Sequence, residues 1–542
     1  MKTKILLLLL FCSPLYFWSC LDDLNVEPLD PQSQTPDEVY SDEANYIKGL
    51  MKIYSILAMS GQDGSGSSDI EGVDAGNAQL YRAWWNVQQV PTDEAIVAWP
   101  DTWVPEMNEM KWTTTKNEAL EGVYHRCMYI VSIANEYLLQ TTDEMMASRG
   151  ISSEFMTTVH GYRNEARFMR ALAYYMLMDS YGRPPFITEE NYSKEPSQLS
   201  RAQLFDWIEG ELNDLKTVLP IARSIYGRAD QGVVNALLSR MYLNAQIYTG
   251  TDRYTDCITA SKDVIDGGYR LAGSYANLFK ADNNQTGALE IIFPIVYDGI
   301  STQTYGGTRF LISSSRGVSD IKLSTDGVID GWGGNRARST LVKKFEFSNP
   351  NYDEDHDTES ILDKRGIFYA ENRSLEIDRW LKTFDTEGWA VYKYSNVKSN
   401  GDLGSHSEWP DTDIPFIRLA EVYLNYAEAV KRGGTGGSET TALRYINDLR
   451  ERGYGNITGN YESFDDISLD DILDERSREL YWEALRRTDL VRYGYFTTSA
   501  YLWPFKGGVK NGSAVETYRN LYPIPASDMS VNSNLEQNEG YK

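Results

Sequence analysis

Three short segments set large aromatic rings among residues that disfavour a regular core. They are Trp99-Pro-Asp101-Thr102-Trp103, with prolines at 91, 100 and 105, then Tyr305-Gly-Gly, then Asp330-Gly-Trp332-Gly-Gly. Proline and glycine interrupt helices and strands, so these rings are expected on turns, where side chains are presented to a ligand more often than they are interred. A flat π-face matches the apolar C–H face of a pyranose, while neighbouring Asp, Asn or Arg groups take the hydroxyls. The chemistry implied is capture of carbohydrate by stacking. The competing reading of each ring alone is a side chain that pins its loop to the body.

Bond-breaking chemistry has no comparable signature. The histidines at 125, 160, 356 and 406 are not paired at metal-ligand spacing, and no H-E-x-x-H, G-x-S-x-G or phosphate-binding loop occurs. Paired carboxylates such as Asp465-Asp466 and Asp470-Asp471 are expected by chance in a chain of formal net charge −26. Two carboxylates brought together by the fold would suffice for glycosidic cleavage, so a glycoside hydrolase is kept as a minor alternative. The same charge argues against nucleic acid, because phosphate binding draws on clustered Lys and Arg.

The elements that must carry the rings are read from apolar spacing. Recurrence at three and four marks helices from 37 onward, over 116–140, 152–181, 201–218, 230–248 and 254–266, and again over 414–431, 441–452 and 469–494. Small residues such as Ala166, Ala171 and Ala173 alternate with Phe168, Leu172 and Tyr175, which lets helices approach closely and suits stacked tetratricopeptide-like pairs. Between 267 and 410 Gly, Asn, Asp and Ser prevail, with short apolar runs such as 289–296 that read as strands. The expected fold is mainly α, one large domain over 37–542 in which helices over about 37–266 and 411–500 bracket a loop-rich insertion over about 267–410.

At the N-terminus, two lysines precede an apolar run over 5–18, which is shorter than the roughly 20 residues of a membrane span and suits a secretory signal. Cys20 follows the small Ser19 as in a lipobox. Acylation of its thiol after loss of 1–19 would leave 20–36, rich in Asp, Pro, Gln and Ser, as a lipid-anchored tether. A plain signal peptide cleaved nearby is the alternative. Cys127 and Cys257 remain in the body; buried free thiols are expected, with a single bridge as the alternative.

An ordered set of motifs carries a family resemblance along nearly the whole chain. They are Pro91-Thr-Asp-Glu-Ala95, Gly161-Tyr-Arg-Asn-Glu-Ala-Arg-Phe168, Gly227-Arg-Ala-Asp230, Asp413-Ile-Pro-Phe-Ile-Arg-Leu-Ala-Glu421, Glu475-Arg-Ser-Arg-Glu479, Arg486-Arg-Thr-Asp-Leu-Val-Arg492 and Tyr522-Pro-Ile-Pro525. With Cys20 and the acidic Asp22-Asp23 behind it, the chain resembles the SusD/RagB outer-membrane lipoproteins of Bacteroidetes, nearest the starch-binding SusD branch.

The resemblance implies a SusD-like helical domain with tetratricopeptide-like units under a variable ligand-binding face, a lipid anchor at Cys20 on the cell surface, and a SusC-type TonB-dependent transporter as partner. It implies that a polysaccharide or oligosaccharide, foremost a starch-like α-glucan, is bound and passed on without being cut. By local context Trp99, Tyr305 and Trp332 look like an aromatic arc for such a glucan, and Arg82 like the cation for its hydroxyls. Asp101 or Thr102 stands where an amide is expected, and Val97 where a second indole is. The RagB branch leaves a peptide-binding lipoprotein as the alternative. A structural calcium occurs in some members, and Asp282-Asn-Asn-Gln285 offers oxygens of suitable hardness for one.

Overall fold

The computed structural model describes residues 34–191, 195–381 and 383–542. Cys20, the expected signal and the expected tether as far as residue 33 lie outside the described residues.

Helices dominate, and their starts follow local chemistry. Asn117, Ser152 and Asp230 each accept hydrogen bonds from backbone N–H groups of the first turn, opening helices Glu118–Gln140, Ser153–Tyr181 and Gln231–Leu243. Ser200 with Gln203, and Ser468 with Asp471, complete reciprocal capping boxes at Arg201–Val218 and Leu469–Leu480. Ser153–Tyr181 packs against Ala44–Ala58, Glu118–Gln140 and Arg201–Val218, while Gln231–Leu243 packs on Tyr254–Asp266. Leu419–Lys431 then joins Tyr254–Asp266 to Glu439–Tyr454 and Leu469–Leu480. Ala166, Ala171 and Ala173 are buried between these helices, and one continuous core runs through them. A Cβ on Gly122 would stand 2.7 Å from the Asn77 carbonyl oxygen and 3.0 Å from the Ala83 Cβ, so glycine is what lets Glu118–Gln140 close on Leu80–Gln89.

Six short strands occur among the described residues: β1 (Ala95–Val97) before the insertion, β2 (Ile291–Ile295), β3 (Asn335–Ala337), β4 (Phe368–Tyr369) and β5 (Ala390–Val391) within it, and β6 (Ile414–Arg418) just after it. They pair antiparallel as β1–β3, β2–β6 and β4–β5. β6 corrects the helix expected from 414: a short apolar run fits strand or helix equally by spacing, and its partner β2 decides. Further differences concern helices. Leu80–Gln89 and the short Trp103–Asn108 have no counterpart among the expected helices, the 230–248 pattern breaks at Asn244, and the 469–494 pattern breaks at Trp482 and Ala484, with φ of 66° and 62°. That last break turns Glu483 inward, where Lys393 and Arg418 hold it at 2.6 and 2.7 Å.

Many motif residues form a buried ionic seam. Arg365 bonds Asp363, Glu475 and Glu479, Arg418 bonds Glu290, Glu479 and Glu483, and Arg452 bonds Glu290 and Glu479. Burial pushes the Glu479 carboxyl up, but Arg452, Arg418 and Arg365 together outweigh it and bring it down to about 2. Asp93 takes Arg486 through two bonds of 2.7 Å and accepts from the Tyr501 hydroxyl at 2.8 Å. Cys127 and Cys257 are buried free thiols, each pushed up by burial. The oxygens at Asp282 and Asn283 are engaged within the protein: Asp282 accepts from Ser399, and Asn283 exchanges bonds with the Asp413 backbone. Among the described residues no group of three or more His, Cys, Asp or Glu gathers as for a metal ion.

Candidate functional site

The β1–β3 ladder brings two of the singled-out turns together. Ala95 faces Ala337, Val97 faces Asn335, and beyond the ladder the Ala98 N–H donates to the Gly334 carbonyl at 3.0 Å. Trp99 and the Trp332 turn therefore leave the same end of one ladder. Asn108 fixes the outer edge of β1 by bonding both the N–H and the carbonyl of Val97. The Trp332 turn is also tied to helix Gly307–Ser313, through Trp332 N–H to Ser313 O at 2.7 Å and Asn335 N–H to Ser314 O at 2.9 Å.

Gln79 couples the remaining two elements. Its amide oxygen accepts from the Arg82 N–H at 2.8 Å, capping Leu80–Gln89, and from the Gly307 N–H at 2.9 Å, so the Arg82 helix and the Tyr305 turn share one anchor. Arg82 Nη1 then donates to the Tyr305 carbonyl at 3.1 Å.

The rings form two groups that Arg82 bridges, with its guanidinium against Trp99 and Phe310 and its bond to the Tyr305 carbonyl. The Arg82 guanidinium lies 5.5 Å from the Trp99 ring and 4.9 Å from Phe310, and Trp99 meets Phe310 edge to face at 6.3 Å. Tyr305 sits 6.2 Å from Trp332 at 56°, and 5.2 Å from Trp409 at 62°. Arg309 lies 5.3 Å from the Trp332 ring and 3.6 Å from Asp330. Trp99 and Trp332 are half-buried and Tyr305 is exposed, so each presents part of its surface outward while the buried Phe310 and Trp409 support from within. Asp101 and Thr102 are exposed at the start of helix Trp103–Asn108, and Thr102 leaves its hydroxyl uncommitted to a cap. Trp103, grouped with Trp99 by sequence, is instead core at 2% exposure, because the short helix points it inward.

Burial lowers the Arg82 guanidinium to about 10, with Asp74, Asp101 and Glu118 opposing, so it stays cationic at neutral pH. Burial also lowers Arg309 against the pull of Glu408, Asp330 and Tyr305. Chemically the ensemble offers tilted apolar faces with cationic donors at their edges and the Asp101 and Asp330 carboxylates beside them, a surface for neutral polyhydroxylated chains. The partly exposed rings form an outward-facing ledge, and a separate apolar cleft of about 380 Å³, lined by residues including Met51, Tyr54, Tyr226 and Val296, contains none of them.

Sequence reasoning singled out Arg82, Trp99, Asp101, Thr102, Tyr305 and Trp332; the fold brings Arg82, Trp99, Tyr305 and Trp332 together, Asp101 acts electrostatically on Arg82, and Thr102 follows it on the same exposed turn. Sequence reasoning missed Gln79, Arg309, Phe310 and Trp409. For Trp409 a signal existed, since Trp409-Pro-Asp-Thr412 repeats Trp99-Pro-Asp-Thr102. The others have ordinary helical or capping contexts that carry no mark.

Comparison with known proteins fits this architecture. The profile described as the SusD family matches residues 289–541, and one described as starch-binding associating with outer membrane matches residues 72–243. The starch-binding protein SusD of Bacteroides thetaiotaomicron is 35% identical, over 97% of this chain and 96% of its own. A SusD-like carbohydrate-binding protein from Bacteroides fragilis superposes with a TM-score of 0.69 at 18% identity, covering 92% of this chain and 100% of its own. Surface glycan-binding protein A from Bacteroides thetaiotaomicron, solved with laminarihexaose, gives 0.66 at 20% identity over 91% and 99%. The two structural likenesses carry the fold.

Proposed function

This chain belongs to the SusD family, and on that footing we propose that it is a cell-surface lipoprotein that captures a starch-like α-glucan and hands it to a SusC-type TonB-dependent transporter in the outer membrane. The observation that carries the reading is the contiguity of Arg82, Trp99, Tyr305 and Trp332, rings from separate turns locked onto one ledge. Successive sugars lie on faces that are tilted, 56° between Tyr305 and Trp332, and such a tilt suits a curving chain better than a flat one. Arg82 and the adjacent carboxylates take hydroxyls at the rim. Because supports already hold the rings, little side-chain entropy is lost on binding. Micromolar to millimolar affinity, about −4 to −8 kcal/mol, suits a ligand that must be released again.

Binding without cleavage is part of the proposal and is supported by the relative named as a starch-binding protein. Attachment through Cys20 rests on its lipobox-like setting. Calorimetry with maltoheptaose against laminarihexaose tests the ligand: preference for the α-glucan is expected, and equal or reversed preference removes the starch assignment. Prolonged incubation should release no reducing ends. Cys20→Ala should move the protein out of the membrane fraction, and co-purification from membranes should bring the transporter with it.

A further inference from the structure

Beside Trp332 the ledge meets an aromatic ring that belongs to no hydrophobic cluster of the core. Phe384 is half-buried, yet among the described residues it joins no hydrophobic cluster and makes no ring–ring contact. Its contact is with backbone: a Cβ on Gly333 would lie 2.4 Å from its Cδ2 and Cε2 atoms. The next glycine, Gly334, is approached as closely by Trp99, whose Nε1 would be 2.2 Å from a Cβ there. Consecutive glycines with φ of 62° and 101° thus let two rings close on the strip of chain that follows Trp332. Since consecutive Cα atoms are about 3.8 Å apart, the Phe384 ring edge lies within about 8 Å of the Trp332 Cα.

The position is held in place. Arg373, 2% exposed, donates to the Phe384 carbonyl and pairs with Asp320 at 2.5 Å and with Asp385 at 3.6 Å. The Asp385 carboxylate, next in the chain, is half exposed and pairs with Arg373 through one oxygen only, which leaves acceptor capacity for a sugar hydroxyl. An aromatic ring on an anchored loop, outside every hydrophobic cluster and with a carboxylate next in the chain, has the parts of a carbohydrate subsite.

We propose that Phe384 adds a platform to the ledge beside Trp332 and stacks a further sugar of a long glycan, so that the site favours long chains over short ones. This rests on the glycan-binding reading above. The test is calorimetry across malto-oligosaccharides from maltotriose to maltoheptaose with the wild type, Phe384→Ala, Phe384→Tyr and Trp332→Ala, each first checked for an unchanged melting temperature. Covering one apolar sugar face is worth about fivefold in affinity. Phe384→Ala should lose about that factor for the longest ligand and nothing for the shortest. Phe384→Tyr should restore it, and Trp332→Ala should weaken every length. Phe384→Ala that binds all lengths as wild type does, or loses affinity equally for all, overturns the subsite and leaves the ledge standing. A wild type that binds no member of the series overturns the ledge reading and the subsite with it.

Discussion

Replacing Gly334 with alanine puts the argument about ring placement at risk without removing any ring. The new Cβ would lie 2.2, 2.6 and 2.8 Å from Nε1, Cε2 and Cδ1 of Trp99, against ordinary contacts of about 3.5–4.0 Å. The buried ladder behind Gly334 is fixed by the Ala98 bond, whereas Trp99 is half-buried, so the indole is what gives way. It must move by about 1.5 Å, which takes it off the position in which its ring lies 5.5 Å from the Arg82 guanidinium. The positive φ of 101° adds about 1–2 kcal/mol of backbone strain, a drop of at most about 4 °C in melting temperature for a chain this long. Loss of one platform should weaken maltoheptaose binding about tenfold, about 1.4 kcal/mol. The decisive assay is a double-mutant cycle by calorimetry: in a Trp99→Ala background, Gly334→Ala should leave affinity unchanged, because both substitutions remove the same platform. A further tenfold loss in that background, or wild-type affinity in the single variant, refutes the reasoning.

Other outcomes follow from the same geometry. Arg82→Lys keeps the charge but not the planar fork that lies against Trp99 and Phe310, so affinity should fall about three- to tenfold on titration; an unchanged constant would mean that charge alone matters. Trp103→Ala should cost about 3–5 kcal/mol in a urea unfolding experiment, whereas Trp332→Ala should cost little stability and weaken binding. Asp93→Asn strands a buried Arg486 and should cost about 3–5 kcal/mol by the same measurement, without altering the affinity of the folded fraction. Asp413, raised to about 7 by burial, stays protonated in the fold where the unfolded chain has released its proton. Stability should therefore decline by about 1.4 kcal/mol per pH unit from pH 4 towards 7 on its account, and Asp413→Asn should flatten that slope in melts across the range.

What was legible in the sequence had a periodic or a compositional signature. The helices over 116–140, 152–181 and 201–218 repeat at three and four and carry cap residues at their starts, and the structure has them within two residues of those bounds. The rings at 99, 305 and 332 stood out through their prolines and glycines. What was illegible depended on distant partners. Ile414 to Arg418 is a strand where β2 lies beside it, and the left-handed Trp482 and Ala484 flank a Glu483 whose partners Lys393 and Arg418 are 90 and 65 residues away in the chain. Trp103 shows the limit of composition as a guide, since it shares its neighbours with Trp99 and ends in the core.

The ionic seam has a mechanical consequence for the insertion. Arg365 and Lys393 rise from loops, Glu475, Glu479 and Glu483 from the helix Leu469–Leu480 and the turn after it, and none can part from the others without stranding bare charge away from water. Loops fastened in this way cannot peel off while the helices stay folded. Heating should give one calorimetric transition, and a protease should find the middle of the chain as resistant as its ends. Charge pairing thereby does for these two loops what regular secondary structure does for the helices.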